Sequence, residues 1–392
     1  MDPIKNPFAP GAGTPPPELS GRWEIIEQAR IAMERLKLGR PVKSIIAVGL
    51  RGVGKTVLLN EFRLMAEARG FYCINLEAHE DKRLPQLLVP ALRRLLLDLD
   101  RLGALSEHAK RAMRIFKSFM GGLRVKYGEA ELALDIDPEI GTADSGDLET
   151  DLPDLFAAIG KAAMDRQKHV TILIDELQYL TESEMSALIM SAHRLAQLKL
   201  PILVFGAGLP QVVGLMGRSK SYAERLFDFS AVGALSHLDA VAAIAKPITA
   251  EGETIEAEAL KNIFDWTQGY PFFLQEWGYQ AWNAAAKSPI TVQDTQVATE
   301  EATARLDSGF FKVRFERLTP RERDYVRAMA SLPGVGPYRS GDVASALGVT
   351  PQSIAPIRNN LIAKGMIYAP AHGDTAFTVP LFEQYLRRVR PD

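Results

Sequence analysis

Three apolar runs interrupt an otherwise mixed chain: SIIAVG at 44–49, HVTILIDELQYL at 169–180 and LPILVFGAGLPQ at 200–211. Each is aliphatic or β-branched without polar alternation, which predicts strands buried on both faces of a parallel sheet. Elsewhere the apolar spacing is helical. TVLLNEFRLMAEARG, directly after the first run, keeps that spacing and stops on a glycine. LPQLLVPALRRLLLDLDRL at 84–102 and SEHAKRAMRIFKSFM at 106–120 are amphipathic at the same period. LRVKYGEAELALDIDPE at 123–139 alternates around YGEA and predicts a hairpin, and the acidic GTADSGDLETDLPDLF predicts the cap of a further helix. From residue 236 the texture is helical: SHLDAVAAIAKPI, IEAEALKNIFDWTQ, PFFLQEWGYQAWNAAAKS and TVQDTQVATEEATARL. The pattern predicts an α/β domain with a parallel sheet, followed by helices.

At 392 residues two or three domains are expected. The 47% hydrophobic and 24% charged content is that of a soluble globular protein. Cys73 stands alone, which excludes an internal disulfide or a Cys-rich zinc site and fits a reducing, cytoplasmic location. No apolar run reaches the roughly 18–20 residues of a membrane span. The segment MDPIKNPFAPGAGTPPPELSGR lacks the basic and apolar regions of a signal peptide and predicts an extended arm on a domain surface. A net charge of −2 argues against a strongly basic nucleic-acid binder and leaves a local basic face open.

The first strand runs into GLRGVGKT at 49–56, which matches G-x-x-x-x-G-K-[ST] as Gly49, Gly54, Lys55 and Thr56. In such a P-loop the backbone N–H groups of Gly49, Leu50, Arg51, Gly52, Val53 and Gly54 turn around phosphate oxygens. Lys55 brings a point charge to the β- and γ-phosphates, and Thr56 offers a hydroxyl to Mg²⁺. Val57 comes next, in a helix whose N-terminus also favours anions. The second apolar run ends in Asp175 and Glu176. Asp175 is placed to hold Mg²⁺ with Thr56, and Glu176 to deprotonate the attacking water. A strand, loop and helix followed by an acidic strand predict a site for ATP or ADP with Mg²⁺.

These motifs resemble the AAA+ ATPases, and among them the Orc1/Cdc6-like origin-binding proteins and archaeal-type ATPases, over roughly residues 15–392. LSGRWEIIEQA at 19–29 looks like the segment that precedes the P-loop in that branch, so the resemblance implies Gly21 and Arg22 near the adenine. The family places a polar sensor at the end of the next strand; here Gly206, Ala207 and Gly208 stand there, with no side-chain donor until Gln211. SKSYAERLFDFSAVGAL at 219–235 lies where the family has an arginine finger, with Arg225 the best match and Arg218 the second; a structural salt bridge is the other reading of Arg225. TQGYPFFLQEWG resembles the Gly-x-Pro lid motif of archaeal-type and STAND ATPases. Pro271 and Phe272 replace a sensor arginine, so either Pro271 packs on the nucleotide or the motif only separates two core helices. The resemblance implies an arm and first helix over 1–41, a nucleotide-binding domain over 42–235 with an insertion at about 81–150, and a helical lid over 236–312. That insertion is either a partner- or DNA-facing device or lateral packing.

Over 313–392 the order of three helices and two strands is that of a winged helix, with Gly348 in the turn and Thr350 as N-cap. Ten Lys/Arg against seven Asp/Glu over 316–392 make this the basic end. Gln352, Ser353, Arg358, Asn359 and Lys364 are the candidate DNA contacts. Pro356 predicts that the third helix begins nearer Ala355, because proline removes a helical hydrogen bond. The whole predicts an ATP-binding, ATP-hydrolysing AAA+ switch that binds duplex DNA through its winged helix and assembles as a homo-oligomer. The alternative is a STAND-like signalling ATPase whose winged helix docks on protein. A metabolic kinase is disfavoured by the absence of an acceptor-substrate domain.

Overall fold

Five strands form one parallel sheet within the unit Glu24–Val48 and Lys55–Ala231. The computed structural model describes all residues except 12, 101–106, 124–135, 372 and 390–392. In chain order this unit holds α1 (Trp23–Lys37, its first residue apart), β1 (Ser44–Val48), α2 (Lys55–Ala68), β2 (Tyr72–Glu77), α3 (Leu84–Asp100), α4 (Glu107–Gly122) and α5 (Leu148–Asp165). It continues with β3 (Val170–Asp175), α6 (Glu182–Gln197), β4 (Ile202–Gly208), α7 (Gln211–Ser219), α8 (Ala223–Leu226) and β5 (Phe227–Ala231). The spatial order is β2-β3-β4-β1-β5. β4 therefore lies between β1, which leads toward the glycine-rich stretch, and β3, which ends in Asp175.

β1, β3 and β4 are buried almost end to end, as unalternating apolar runs require. β2 (YCINLE) and β5 (FDFSA) form the sheet edges and expose part of their length, so no apolar run marks them in the sequence. Phe62 of α2 meets Phe205 of β4 with ring centroids 5.0 Å apart. Leu88, Leu92 and Leu95 of α3, with Met113, Phe116 and Phe119 of α4, join the same buried core as β3 and β4. Over its described residues the expected insertion is thus lateral packing. The hairpin expected at 123–139 falls mostly on 124–135, outside the described residues. Asp147 caps α5 by accepting from the N–H of Glu149, as the acidic stretch predicts.

The second unit comprises Met1–Trp23, Gly49–Gly54 and Val232–Asp392. It holds α9 (His237–Ala250), α10 (Ala257–Thr267), α11 (Pro271–Ala284), α12 (Val292–Arg305), a π-helical segment (Leu306–Phe311) and α13 (Lys312–Glu316). After these come α14 (Pro320–Ser331), β6 (Tyr338–Arg339), α15 (Ser340–Ala346), α16 (Pro351–Ala363), β7 (Ile367–Tyr368), β8 (Asp374–Phe377) and α17 (Phe382–Arg388). The N-terminal arm is pinned to α11: Asn6 Nδ2 donates to the Tyr279 carbonyl at 3.0 Å, and Trp282 Nε1 donates to the Asp2 carbonyl at 2.8 Å. The lid segment (236–312) and the C-terminal segment (313–392) both fall within this unit. Aromatic rings link them, with Phe272 stacked on Phe310 and Phe311 stacked on Tyr385.

β6, β8 and β7 make a three-stranded antiparallel sheet beside α14, α15 and α16. Contrary to the sequence expectation, α16 starts at Pro351 rather than near Ala355. Pro351 stands at N1, where its missing N–H costs nothing. Pro356 lies in the second turn and forfeits a single bond, to the carbonyl of Gln352. Thr350 occupies the N-cap position with extended backbone, but its side chain makes no capping bond.

One buried acid ties this region together. Glu322 completes a capping box with Thr319 at the start of α14 and meets Lys364 Nζ at 2.7 Å. Burial pushes its carboxyl up, yet the Lys364 bond and the Thr319 N–H outweigh it and leave the group below its ordinary value of 4.5. A depressed carboxylate stabilises the fold above its unfolded pKa, and that contribution is lost as pH falls through the folded value. Glu322→Gln is therefore expected to cost about 1–2 kcal/mol at neutral pH. Urea unfolding of wild type and variant at pH 7 and at pH 3 checks this: the gap should be present at pH 7 and largely closed at pH 3.

Candidate functional site

In the sheet unit, the two candidate acids, Asp175 and Glu176, sit at the C-terminal edge of the sheet, where β3 ends. Thr56, the second residue of α2, donates its Oγ1 hydroxyl to Asp175 Oδ2 at 2.6 Å. The backbone N–H of Glu176 donates to Asp175 Oδ1 at 2.8 Å. Burial raises the Asp175 pKa, while the Thr56 hydroxyl, the Glu176 N–H and the Lys55 charge pull it back. Lys55 is itself buried, at 7% exposure, a position a lysine keeps only where charge of the other sign is close. A hydroxyl and a carboxylate brought together in this way are hard oxygen donors of the kind Mg²⁺ takes. The residues present fit that ion.

Glu176 has φ 54° and ψ 40°, a left-handed conformation that a non-glycine residue adopts at a cost and that concentrates at functional sites. It opens a 3-10 turn, Leu177–Tyr179. One residue that sequence reasoning did not single out belongs here. Gln178 donates its side-chain amide to Glu176 Oε2, and its Oε1 accepts from the N–H of Leu209 at 3.0 Å. The available signal was the glycine pair at the end of β4. A Cβ on Gly206 would lie 2.5 Å from Leu177 Cδ1, and one on Gly208 would lie 2.5 Å from Val212 Cγ2 and 3.1 Å from Gln178 Oε1. The Leu177–Gln178 turn fills the space where the family resemblance implies a polar sensor side chain. Gln211 begins α7, and its buried side-chain oxygen meets no donor among the described residues.

In the other unit, the loop Gly49–Gly54 is clasped by the arm, the lid and the C-terminal segment. A Cβ on Gly49 would lie 2.0 Å from the Val232 carbonyl oxygen, so no other residue fits there. Gly52 and Gly54 have φ of 82° and 93°. Val53 is buried at 1% exposure, Leu50 is half-buried, and Val57 is half-buried in the first turn of α2. Arg22 donates to the carbonyls of Val53 and Gly233, so it braces the loop; burial lowers its pKa and Asp239 partly restores it. Gly21 lies directly against the Asp239 side chain. Pro271 stands at N1 of α11, and its two neighbours make the contacts to the loop. The Tyr270 hydroxyl donates to the Arg51 carbonyl, and the Phe272 N–H donates to the Gly52 carbonyl at 3.2 Å. Burial pushes the Tyr270 phenol far above its ordinary range. Arg51 Nε donates to the Gly365 carbonyl at 3.2 Å, beyond the end of α16.

Arg225 does not join the acids. It is exposed on α8, next to the start of β5, where Phe227 pairs with Ser44 at the N-terminal end of β1. Asp175 lies at the opposite edge of the sheet and three strands across, about 20–25 Å away by strand rise and spacing. Arg225 lines a cleft with Arg40, Lys43 and Lys199. Among the described residues neither Arg225 nor the exposed Arg218 has an acidic partner, so the salt-bridge reading of Arg225 is not what the structure contains. On α16, Gln352, Ser353 and Asn359 are exposed. Arg358 and Lys364 are not available as expected: Arg358 donates to Thr375 Oγ1 and to the Asp374 carbonyl, and Lys364 pairs with Glu322.

With this geometry in place, two family models match the chain: residues 18–205 match the AAA ATPase domain, and residues 308–386 match a domain of unknown function. No curated protein matches the sequence. A Walker-type ATPase of Pyrococcus abyssi superposes with a TM-score of 0.60 at 15% identity, covering 95% of this chain and 98% of that one. A RuvB variant of Thermotoga maritima has a TM-score of 0.48 at 13% identity, covering 95% and 97%. The Orc1 protein of Aeropyrum pernix, in complex with DNA, has 0.44 at 12% identity, covering 95% and 94%. Residues 18–205 are thus similar to the AAA ATPase domain, in a chain whose fold is similar to that of a Walker-type ATPase.

Proposed function

We propose that the chain is an ATP-binding and ATP-hydrolysing AAA+ switch protein. The observation that carries this reading is the 2.6 Å bond between Thr56 and Asp175 with Glu176 directly adjacent. In this reading Thr56 and Asp175 hold Mg²⁺, and the N–H groups of Gly49–Gly54 with Lys55 receive the β- and γ-phosphates. Bound Mg²⁺ supplies charge neutralisation on the phosphate oxygens. Glu176 takes a proton from water as the water oxygen bonds to the γ-phosphorus and the bond to the bridging oxygen breaks, releasing ADP and phosphate. Arg22 acts through the loop that it braces, with Gly21 beside it against Asp239.

In the same reading α14, α15, α16 and the sheet of β6, β7 and β8 form a winged helix that docks on protein. Two observations support docking. Arg51, inside the phosphate loop, is bonded to Gly365, so this module contacts the residues that would sense phosphate. Its positive charge is largely spent internally: Arg323, Arg358, Lys364, Arg387 and Arg388 all have partners within their own unit. Binding of duplex DNA by α16 is the second reading, supported by exposed Gln352, Ser353 and Asn359 and by the excess of basic residues over 316–392. Arg225, far from Asp175 within the sheet unit, serves as a finger only across a subunit boundary in a homo-oligomer.

Two experiments test the proposal. Glu176→Gln should keep ATP affinity in calorimetry while turnover falls at least ~10²-fold, since an amide keeps the shape but takes no proton; unchanged turnover would remove Glu176 from the chemistry. Arg225→Ala should lower turnover with ATP affinity intact, and mixing it with Lys55→Ala should restore part of the activity, because each chain supplies what the other lacks. A mixture that stays inactive, with wild-type specific activity flat in protein concentration, would make Arg225 structural. Adding duplex DNA at low salt extends the assay to the second reading: DNA that gathers subunits steepens the concentration dependence, and docking on protein leaves it unchanged.

A further inference from the structure

The polar group that orients the general base comes from an unexpected element. In the sheet unit β4 lies next to β3, and its last residues, Gly206, Ala207 and Gly208, carry no hydrogen-bonding side chain. The space beside them is filled by the turn that starts at Glu176, as the close approaches of Leu177 and Gln178 to the two glycines require. Gln178 is half-buried and makes one bond in each direction: its amide group to Glu176 Oε2, its oxygen to the N–H of Leu209.

We infer that Gln178 is the positioning residue for Glu176, coupling the base to the end of β4 in place of a side chain from β4 itself. This deepens the hydrolytic reading above and rests on it. Glu176 is held in a left-handed backbone conformation, which sets where its side chain starts but not how its carboxylate is rotated. An N–H donor on one carboxylate oxygen fixes that rotation. The donor is in turn immobilised, because the same amide accepts from a backbone N–H whose place is set by the end of a buried strand. A carboxylate aligned in this way is ready to receive the proton of the attacking water, and misplacement of a reacting group by about 1 Å costs on the order of 10²-fold in rate. The Gly206–Gly208 stretch makes the arrangement possible, since a Cβ at Gly206 would collide with Leu177 of the turn and one at Gly208 would crowd the Gln178 oxygen while colliding with Val212.

Two isosteric variants separate positioning from space-filling. Gln178→Glu keeps an oxygen for Leu209 but replaces the donor facing Glu176 with a second carboxylate oxygen. Gln178→Met keeps the volume and loses both bonds. Gln178→Glu should lower kcat about 10- to 100-fold with KM and ATP affinity unchanged, while hydrogen exchange at the Leu209 amide stays as slow as in wild type. Gln178→Met should lower kcat and also speed exchange at Leu209. Because Gln178 acts through Glu176, adding Gln178→Glu to Glu176→Gln should cause no further loss. The inference is overturned if Gln178→Glu turns over at the wild-type rate, if it raises KM with kcat unchanged, or if it costs as much beside Glu176→Gln as alone. A wild-type chain that binds ATP and never hydrolyses it would instead overturn the hydrolytic reading, and this inference with it.

Discussion

Asp175 is a carboxylate that the fold half-buries at the edge of a sheet and surrounds with groups that offset only part of the cost. Burial disfavours its charge; the Thr56 hydroxyl, the Glu176 N–H and the nearby Lys55 offset that cost. Each of these groups is supplied by the connection between a strand and the next element of the chain. Thr56 and Lys55 begin α2, and Glu176 begins the turn after β3. Three buried strands, β1, β3 and β4, are what bring those ends to one edge. The unalternating apolar sequence of the sheet and the chemistry at its rim are therefore one design. In the proposed function, a cation shared by Thr56 and Asp175 would complete the compensation that the protein groups begin.

The glycine-rich loop is constrained from the other direction. Val232 leaves no room for a side chain at Gly49, Arg22 holds the carbonyls of Val53 and Gly233, and Tyr270 and Phe272 hold those of Arg51 and Gly52. Arg51 reaches the carbonyl after α16. A loop so fastened to lid and C-terminal segment cannot change its backbone without disturbing those contacts. That is the physical basis for reading the second unit as the responsive part of a switch.

Residues whose chemistry is local were legible in the sequence. Gly49, Lys55 and Thr56 stand at a fixed spacing after a strand, and Asp175 and Glu176 close an apolar run, so type and context coincide. Unalternating burial also exposed β1, β3 and β4, whereas the edge strands β2 and β5 carry polar residues and showed no run. Gln178 was illegible because its role depends on β4 lying beside β3, a long-range pairing, and on two glycines that clear space for it. Arg358 and Lys364 were misjudged for the same reason: helical spacing places them on α16 but does not reveal that Asp374 and Glu322 wait for them on other elements. The start of α16 was misread because the penalty of Pro356 was weighed without its position. Early in a helix it removes one bond rather than breaking the helix.

The proposed function depends on Thr56 and Asp175 acting as a Mg²⁺ pair that serves ATP. Calorimetric titration of ATP into wild type and Asp175→Asn, each with and without Mg²⁺, tests this most directly. Mg²⁺ should tighten ATP binding to the wild type by about tenfold or more and leave the affinity of Asp175→Asn nearly unchanged, because the variant loses the charged oxygen that holds the ion. Wild-type affinity that ignores Mg²⁺, or an Asp175→Asn chain that responds to it as wild type does, would contradict the account.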